Sequence, residues 1–455
     1  MRRLDGIQAW LDDQFARLVE GSGIPGASIS VLAGDEVVER AAGVLNLRTG
    51  VTATTDSVFQ IGSITKVWTA TLVLQLVDEG LLDLDAPVRS YLPDFRVADD
   101  RASAVITPRQ LLSHTSGLEG DLFIEIGRGD DAVERYCAAV VPEVPQLFPP
   151  GDLFSYSNTG FIVLGRIVEV LRSQRYNDVL LERLAEPLGL HAVSPRAEDA
   201  ILHRSATGHL RAKGGWEPAR TWAAGFAGMP AGSMLAMTAA DLIGFAKSHV
   251  DGGGPILSAE GTLAMQVPHA DVPSAGGFDA HWGLGWTIED WPGGQVLGHD
   301  GGTIGQSAYL RMAPEHGVAV ALLTNGGRPD KLYRALFGQV FQELAGFGLP
   351  LPPGPPEHPD PVDPHRFVGR YESRTTMIDI EADANGDLWR DFRLQNELAD
   401  MLQGPAPQRD RIVQLSRDTF ITIGKGGNQT FAFVGDDGSG RAAFVHGGGR
   451  ATPRV

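Results

Sequence analysis

Residues 59–80 read FQIGSITKVWTATLVLQLVDEG, and this stretch decides how the surrounding region folds. Its pattern predicts a helix from Ser63 to Glu79 that Gly80 ends. Apolar side chains cover nearly the whole circumference of that helix, which is typical of a buried helix. Lys66 lies inside the apolar run, and a buried lysine requires a reason because its charge is costly to desolvate.

Ser63 and Lys66 form the only S-x-x-K sequence in the chain. Positions three apart share a helix face, so the amine of Lys66 is predicted to stand near the Ser63 hydroxyl at the helix N-terminus. A serine needs a base to become a good nucleophile, and a lysine in a dry site can be that base, whereas an arginine cannot. Only five of the 38 basic residues are lysines. The alternative is an N-cap serine followed by a surface lysine.

A second element is FPPGDLFSYSNTGFIVLGRIVE at residues 148–169, a loop that turns into an apolar helix. The hydroxyl of Tyr156 beside Lys66 would relay protons, and the amide of Asn158 would hold Lys66 or a substrate amide. The alternative is a tyrosine that packs on its neighbours, with the asparagine as a cap.

A third element is VLGHDGGTIGQSAYLRMAP at residues 296–314, where a strand leads into His299, Asp300, Gly301, Gly302 and Thr303. Adjacent glycines allow the backbone to approach a ligand closely. The N–H groups of Gly302 and Ser63 would together form an oxyanion hole. The alternative for this element is a glycine-rich hairpin.

Composition excludes several classes of function. The formal net charge is −18, which argues against a duplex nucleic-acid partner. One cysteine, Cys137, permits no intrachain disulfide, and no His/Cys spacing indicates a metal, so neither a metal nor a cofactor is expected. The N-terminus reads as an amphipathic helix rather than a signal peptide, and no apolar run has membrane-spanning length. A cytoplasmic protein without a membrane partner is therefore expected.

The pattern of elements predicts an α+β fold in two domains. Strand signals at 27–33, 36–43, 283–289, 294–299, 307–313 and 317–324 bracket a mainly helical middle, and a helix follows at 329–345. The proline-rich residues 349–365 predict an extended linker between domains at 1–348 and 366–455. Short strands and turns after the linker, including an Asn385-Gly386 hairpin, predict a small antiparallel β-barrel or sandwich.

The order S-x-x-K, Y-S-N, H-D-G-G-T resembles the serine β-lactamase and penicillin-binding-protein superfamily on its class C side, over about residues 5–345. The resemblance implies an antiparallel sheet flanked by helices, with a helical subdomain. It also implies Ser63 as the acylated nucleophile, Lys66 and Tyr156 as the general-base system, and Asn158 as the group that orients Lys66 and the substrate. His299 matches the third motif. Asp300 departs from the family, where Thr or Ser is common, and would disfavour a substrate carboxylate.

Three members of the superfamily fit a cytoplasmic chain. They are a family VIII-type carboxylesterase, a D-amino-acid amidase or aminopeptidase, and a penicillin-binding-protein-type thioesterase. The thioesterases join this catalytic domain to a lipocalin-like barrel, which matches residues 366–455. That resemblance implies a partner, a peptidyl carrier protein with a phosphopantetheine-linked peptide, and release of the peptide as a macrolactam. A non-catalytic scaffold is the remaining alternative.

The substrate-binding prediction comprises Trp222, Trp286, Asp300, Gly301, Thr303 and Arg450. The two tryptophans are candidate walls for apolar side chains, with core packing as the alternative. Arg450 would reach the site from the barrel and meet a substrate carboxylate or carbonyl. A solvated residue of the C-terminal tail is the alternative for Arg450 and the more common situation.

Overall fold

The computed structural model describes residues 4–273, 280–359, 362–396, 399, 407–424 and 427–455. Its α-helices are α1 Asp5–Gly21, α2 Thr65–Asp78, α3 Asp100–Val105, α4 Pro108–Leu112, α5 Ala132–Ala139, α6 Asn158–Arg172, α7 Tyr176–Leu180, α8 Ala197–Ala200, α9 Ala239–Val250, α10 Ala259–Gln266 and α11 Pro329–Leu344. Two 3₁₀ turns, Gly62–Ile64 and Phe226–Ala231, border the site described below.

Two eight-stranded antiparallel sheets organise the described residues. The first has the order β2-β1-β13-β12-β11-β10-β9-β8, with strands β1 Gly26–Ala33, β2 Glu36–Gly43, β8 Ala270–Asp271, β9 Ala280–Trp282, β10 Thr287–Trp291, β11 Gly294–Gly302, β12 Ser307–Ala313 and β13 Val318–Thr324. Shorter strands lie outside it, namely β3 Ser57–Gln60, β4 Arg204–Ser205, β5 His209–Ala212, β6 Gly215–Pro218 and β7 Ala236–Met237.

Both faces of the first sheet are covered, and every residue of its central strands β1 and β13 is therefore buried. On one face, Ile29 and Val320 pack with helices α1 and α11 in one core cluster. On the other face, Leu32 and Ala321 belong to a larger cluster that contains helix α2. Residues 65–76 of α2 are all buried, so the prediction of a buried helix is confirmed.

Two boundaries differ from the sequence prediction. The α-helix begins at Thr65 rather than at Ser63, because a 3₁₀ turn over Gly62–Ile64 precedes it and Gly62 has a φ of +55°. The strand predicted at 283–289 is wrong in its first half. Gly285 has a φ of +92° and packs against α2, so 283–286 forms a turn and β10 starts at Thr287.

The second sheet is the predicted C-terminal barrel, and the α+β fold class is confirmed. Each strand pairs with the next, through β14 Gly369–Glu372, β15 Thr376–Ala382, β16 Leu388–Leu394, β17 Gln408–Gln414, β18 Thr419–Ile423, β19 Thr430–Val434, β20 Phe444–Gly447 and β21 Arg450–Pro453. The N–H of Val455 donates to the carbonyl of Arg370 at 3.0 Å and nearly closes the barrel. Residues 360–361 of the predicted linker and 425–426 of a predicted turn lie outside the described residues.

The barrel contacts the loop before α6 through the hairpin of β20 and β21. The Tyr156 N–H donates to the carbonyl of Gly449 at 2.8 Å, and the Ala451 N–H donates to the Ser155 hydroxyl at 3.1 Å. His446 Nε2 donates to the carbonyl of Phe154 at 3.0 Å. The loop that carries Tyr156 is therefore held by the barrel.

Within the described ranges, we find no helix that is both long and apolar enough to cross a membrane.

Candidate active site

Ser63 lies in the 3₁₀ turn between β3 and α2, where three pieces of backbone converge. A Cβ at Gly62 would lie 2.4 Å from the nitrogen of Gly302, and a Cβ at Gly232 would lie 2.8 Å from the nitrogen of Ser63. A Cβ at Gly301 would lie 1.8 Å from the carbonyl oxygen of Ile61. Only glycine fits such approaches, so these residues bring the backbone of Ser63 close to the backbone of Gly302.

Lys66 is fully buried directly behind Ser63. Its Nζ donates to Ser63 Oγ at 3.1 Å, to Asn158 Oδ1 at 2.7 Å and to the carbonyl of Ala231 at 2.5 Å. Burial lowers the pKa of Lys66 well below its usual value, the positive charge of Arg450 lowers it further, and the carboxylate of Asp121 opposes both. The predicted pairing of Ser63 with a desolvated lysine is present in the structure.

Tyr156 completes a triangle with Ser63 and Lys66. Burial raises the pKa of Tyr156, and the neighbouring Ser63 side chain opposes that rise. The Lys66 ammonium lies 4.7 Å from the centre of the Tyr156 ring. His114 packs on that ring at 4.3 Å, and its Nδ1 accepts the N–H of Ser157 at 3.0 Å, which orients the loop.

Asn158 lies at the start of α6 and connects Lys66 to a buried carboxylate that sequence reasoning missed. Its Nδ2 donates to Asp121 Oδ1 at 2.6 Å. Arg450 donates to the same carboxylate through Nε at 2.5 Å and Nη2 at 3.3 Å, and its guanidinium lies 4.9 Å from the centre of the Tyr156 ring. Arg450 is therefore at the site, and the alternative of a solvated tail residue is wrong because the β20–β21 hairpin docks there.

His299 is buried on β11, which runs on to Gly302 rather than ending at 299. Burial lowers the pKa of His299 to about 3, and Nδ1 donates to the carbonyl of Asp300 at 2.6 Å. The ring is therefore neutral, and its Nε2 can accept a hydrogen bond. The centre of the His299 ring lies 6.2 Å from the centre of the Tyr156 ring. The carboxylate of Asp300 pairs with Arg311 at 2.6 Å, which compensates the negative charge that departs from the family pattern.

The remaining predicted binding residues lie in different surroundings. Trp286 is fully buried and packs against His249 at 5.4 Å, so it belongs to the core, as the alternative held. Trp222 is half-buried, and its carbonyl accepts a hydrogen bond from the side-chain amide of Gln60 at 2.7 Å. Gln60 precedes Ser63 by three residues. The Thr303 N–H closes the turn after Gly302 by donating to the carbonyl of Gln306 at 3.0 Å.

Two residues near the site had no sequence signal that we recognised. Asp121 follows the residues Leu118, Glu119 and Gly120, and only its burial and its contacts with Asn158 and Arg450 make it notable. Trp282 lies 5.5 Å from the His299 ring and 5.7 Å from the Tyr156 ring between centres. Its position depends on pairing of β9 with β10, which a short apolar run does not predict.

Among the described residues, the site therefore contains a serine nucleophile, a lysine whose charge is disfavoured, a neighbouring tyrosine and the closely packed backbone of Ser63 and Gly302. Those parts are what acyl transfer through a serine ester requires.

Comparison with known proteins agrees with this chemistry. The sequence profile of the beta-lactamase family matches residues 11–344. Penicillin-binding protein 4 of Amycolatopsis lactamdurans is 44% identical over 361 residues, which cover 77% of this chain and 93% of that protein. The crystal structure of SurE with D-Leu superposes with a TM-score of 0.79 at 30% identity, over 100% of this chain and 99% of SurE.

A third comparison covers the catalytic region. The D-amino acid amidase of Ochrobactrum anthropi SV3, complexed with L-phenylalanine amide, superposes with a TM-score of 0.61 at 25% identity. It covers 76% of this chain and 99% of the amidase. Since the family profile spans most of the chain and the Amycolatopsis relative is matched over nearly its full length, the chain belongs to the beta-lactamase and penicillin-binding-protein superfamily of serine hydrolases and acyltransferases.

Proposed function

We propose that the protein is a trans-acting thioesterase that takes a peptide from a carrier-protein thioester onto Ser63 and releases it as a head-to-tail macrolactam. The observation that carries the proposal is Arg450, which the C-terminal barrel holds beside Tyr156 and Asp121. A domain that only stabilised the fold would have no need to place a cation at the reacting centre.

The first half-reaction forms the ester. Lys66 in its neutral form accepts the proton of Ser63 Oγ, directly or through Tyr156, as Oγ attacks the thioester carbonyl. The N–H groups of Ser63 and Gly302 stabilise the oxyanion. The carbon–sulfur bond then breaks, and the pantetheine sulfur leaves as a thiol with the proton that Lys66 accepted.

The second half-reaction forms the ring. The N-terminal amine of the bound peptide attacks the ester carbonyl and gives its proton to the Lys66–Tyr156 pair. The bond to Ser63 Oγ breaks, and Oγ regains that proton. Cyclisation outcompetes hydrolysis when the amine is held near the ester and water is excluded, and effective molarity can supply several kcal/mol of the barrier. The β20–β21 hairpin, packed against the Tyr156 loop, is suited to both tasks.

Two of the compared structures support a D-configured residue in the substrate. SurE was crystallised with D-Leu, and the Ochrobactrum enzyme is an amidase for D-amino acids. We therefore propose a D-configured residue at the C-terminus of the peptide, in ester linkage to Ser63. Arg450 would contact a carbonyl of this peptide. A D-amino-acid amidase is the second candidate function, since that amidase superposes on the catalytic region.

The test uses a linear peptide thioester with a free N-terminal amine and a D-residue at the thioester. Mass spectrometry should find a product one water lighter than the free acid, and Ser63→Ala should form neither this product nor an acyl-enzyme. The matched substrate with an acetylated N-terminus should give only linear acid. If the free-amine substrate also yields only linear acid, or if D-amino-acid amides turn over faster than thioesters, the cyclase proposal is wrong.

A further inference from the structure

The chain is acidic overall, yet a group of exposed basic residues lies on one short hairpin. Residues 209–222 contain Arg211, Lys213 and Arg220, all exposed, against one acidic residue, Glu217. Within the described residues, none of these three cations forms an ion pair, and Arg211 instead stacks over the Trp216 ring at 6.0 Å. Several arginines elsewhere in the chain are neutralised by carboxylates, as Arg172 is by Glu79 and Arg196 is by Asp130.

This hairpin, β5 with β6, is attached to the backbone that forms the active site. The His209 N–H donates to the carbonyl of Gly305 at 3.0 Å, and a Cβ at Gly208 would lie 1.9 Å from the carbonyl oxygen of Ile304. These residues belong to the turn directly after Gly302. The hairpin therefore stands at the edge of the site on the side of the oxyanion hole, where Gly302 is exposed.

Two neighbouring segments add basic residues through His209. Its Nε2 accepts the N–H of Leu47 at 3.1 Å, one residue before the exposed Arg48. Its Nδ1 donates to the carbonyl of Asn325 at 2.7 Å, three residues before the exposed Arg328. We call the resulting surface the basic rim, defined by Arg48, Arg211, Lys213, Arg220 and Arg328.

We propose that the basic rim binds the acidic surface of the carrier protein that delivers the thioester, with the phosphate of its pantetheine arm. This inference rests on the proposed function and names its docking surface. A chain with a net charge of −18 repels an anionic protein, so productive encounter requires a local positive surface beside the site. The rim supplies that surface on the side where the thioester carbonyl meets the Gly302 N–H.

The experiment compares two thioesters of the same peptide, one on the phosphopantetheinylated carrier protein and one on N-acetylcysteamine. The rim variant carries Arg211→Gln, Lys213→Gln and Arg220→Gln. We expect its kcat/KM on the carrier substrate to fall about tenfold at low salt, with less than a twofold change on the short thiol. Added salt should reduce the wild-type rate on the carrier substrate and leave the variant nearly unaffected.

The matched control removes three exposed cations elsewhere, by Arg96→Gln, Arg101→Gln and Arg441→Gln, and should behave as wild type. An unchanged rate of the rim variant on the carrier, or an equal loss on both substrates, overturns the proposal. Failure of wild type to turn over the short thioester would instead refute the proposed function. In that case, binding of labelled carrier protein to the Ser63→Ala protein is measured by fluorescence anisotropy. The basic rim proposal is overturned if the carrier does not bind, or if its binding is unchanged when the rim cations are removed.

Discussion

Replacing Arg450 with methionine removes the cation that the barrel holds beside the active site while keeping much of the side-chain bulk. The ammonium of Lys66 lies 4.7 Å from the centre of the Tyr156 ring and the guanidinium of Arg450 lies 4.9 Å from it, so the two cations are at most about 9.6 Å apart. With an effective dielectric constant of about 20, their repulsion is at least about 1.7 kcal/mol.

Loss of that repulsion should shift the pH dependence of activity. One pKa unit corresponds to about 1.4 kcal/mol, and the Arg450 side chain is 41% exposed, so solvent screening reduces the effect to roughly half to one unit. Arg450 disfavours protonated Lys66 in the wild type. Its removal raises the pKa of Lys66, and because the neutral amine is the active form, activity is lost at a higher pH as the solution is acidified.

The assay is the pH dependence of kcat/KM for acylation by a p-nitrophenyl ester, where the acid limb should move upward by roughly half to one pH unit. Arg441→Met changes an exposed arginine of the same barrel and serves as the control. An acid limb that stays in place or moves downward in folded Arg450→Met protein would refute the electrostatic coupling. A rise in KM without a shift of the acid limb would mean that Arg450 contacts the substrate but does not influence the pKa of Lys66.

Three further predictions follow from the site geometry. Lys66→Arg keeps the charge but supplies no base, so acylation should fall by roughly 10² to 10⁴, and near-normal rates in a burst assay would make Lys66 electrostatic only. Gly301→Ala should lower kcat by about 10² or more, because its Cβ would lie 1.8 Å from the carbonyl oxygen of Ile61 and would push β11 and the Gly302 N–H away. Gly302→Ala is the control and should remain active, because its Cβ would have no atom within 4 Å. His299, with a pKa of about 3, should show no imidazole titration by NMR between pH 5 and 8, and a midpoint inside that range would contradict its burial in a neutral form.

Local patterns predicted much of the fold. The buried helix α2, the strands β1 and β2 and the barrel hairpin at Gly386 follow from spacing and turn residues. The predictions that were wrong concern segments whose local pattern disagrees with their tertiary packing. The turn at 283–286 reads as a strand, but Gly285 is required where the chain presses against α2. Trp286 reads as a possible pocket wall, but it is enclosed in the core.

The pairing of Ser63 with Lys66 could be predicted from the sequence, because successive helical turns place positions three apart on one face, and Ser63 Oγ lies 3.1 Å from the Lys66 amine. The electrostatic surroundings of that lysine depend on tertiary contacts. Asp121 and Arg450 are 329 positions apart, and they meet because the barrel docks its last hairpin on the Tyr156 loop. A pKa shift depends on burial and on charges near in space, and neither quantity can be read from distances along the chain.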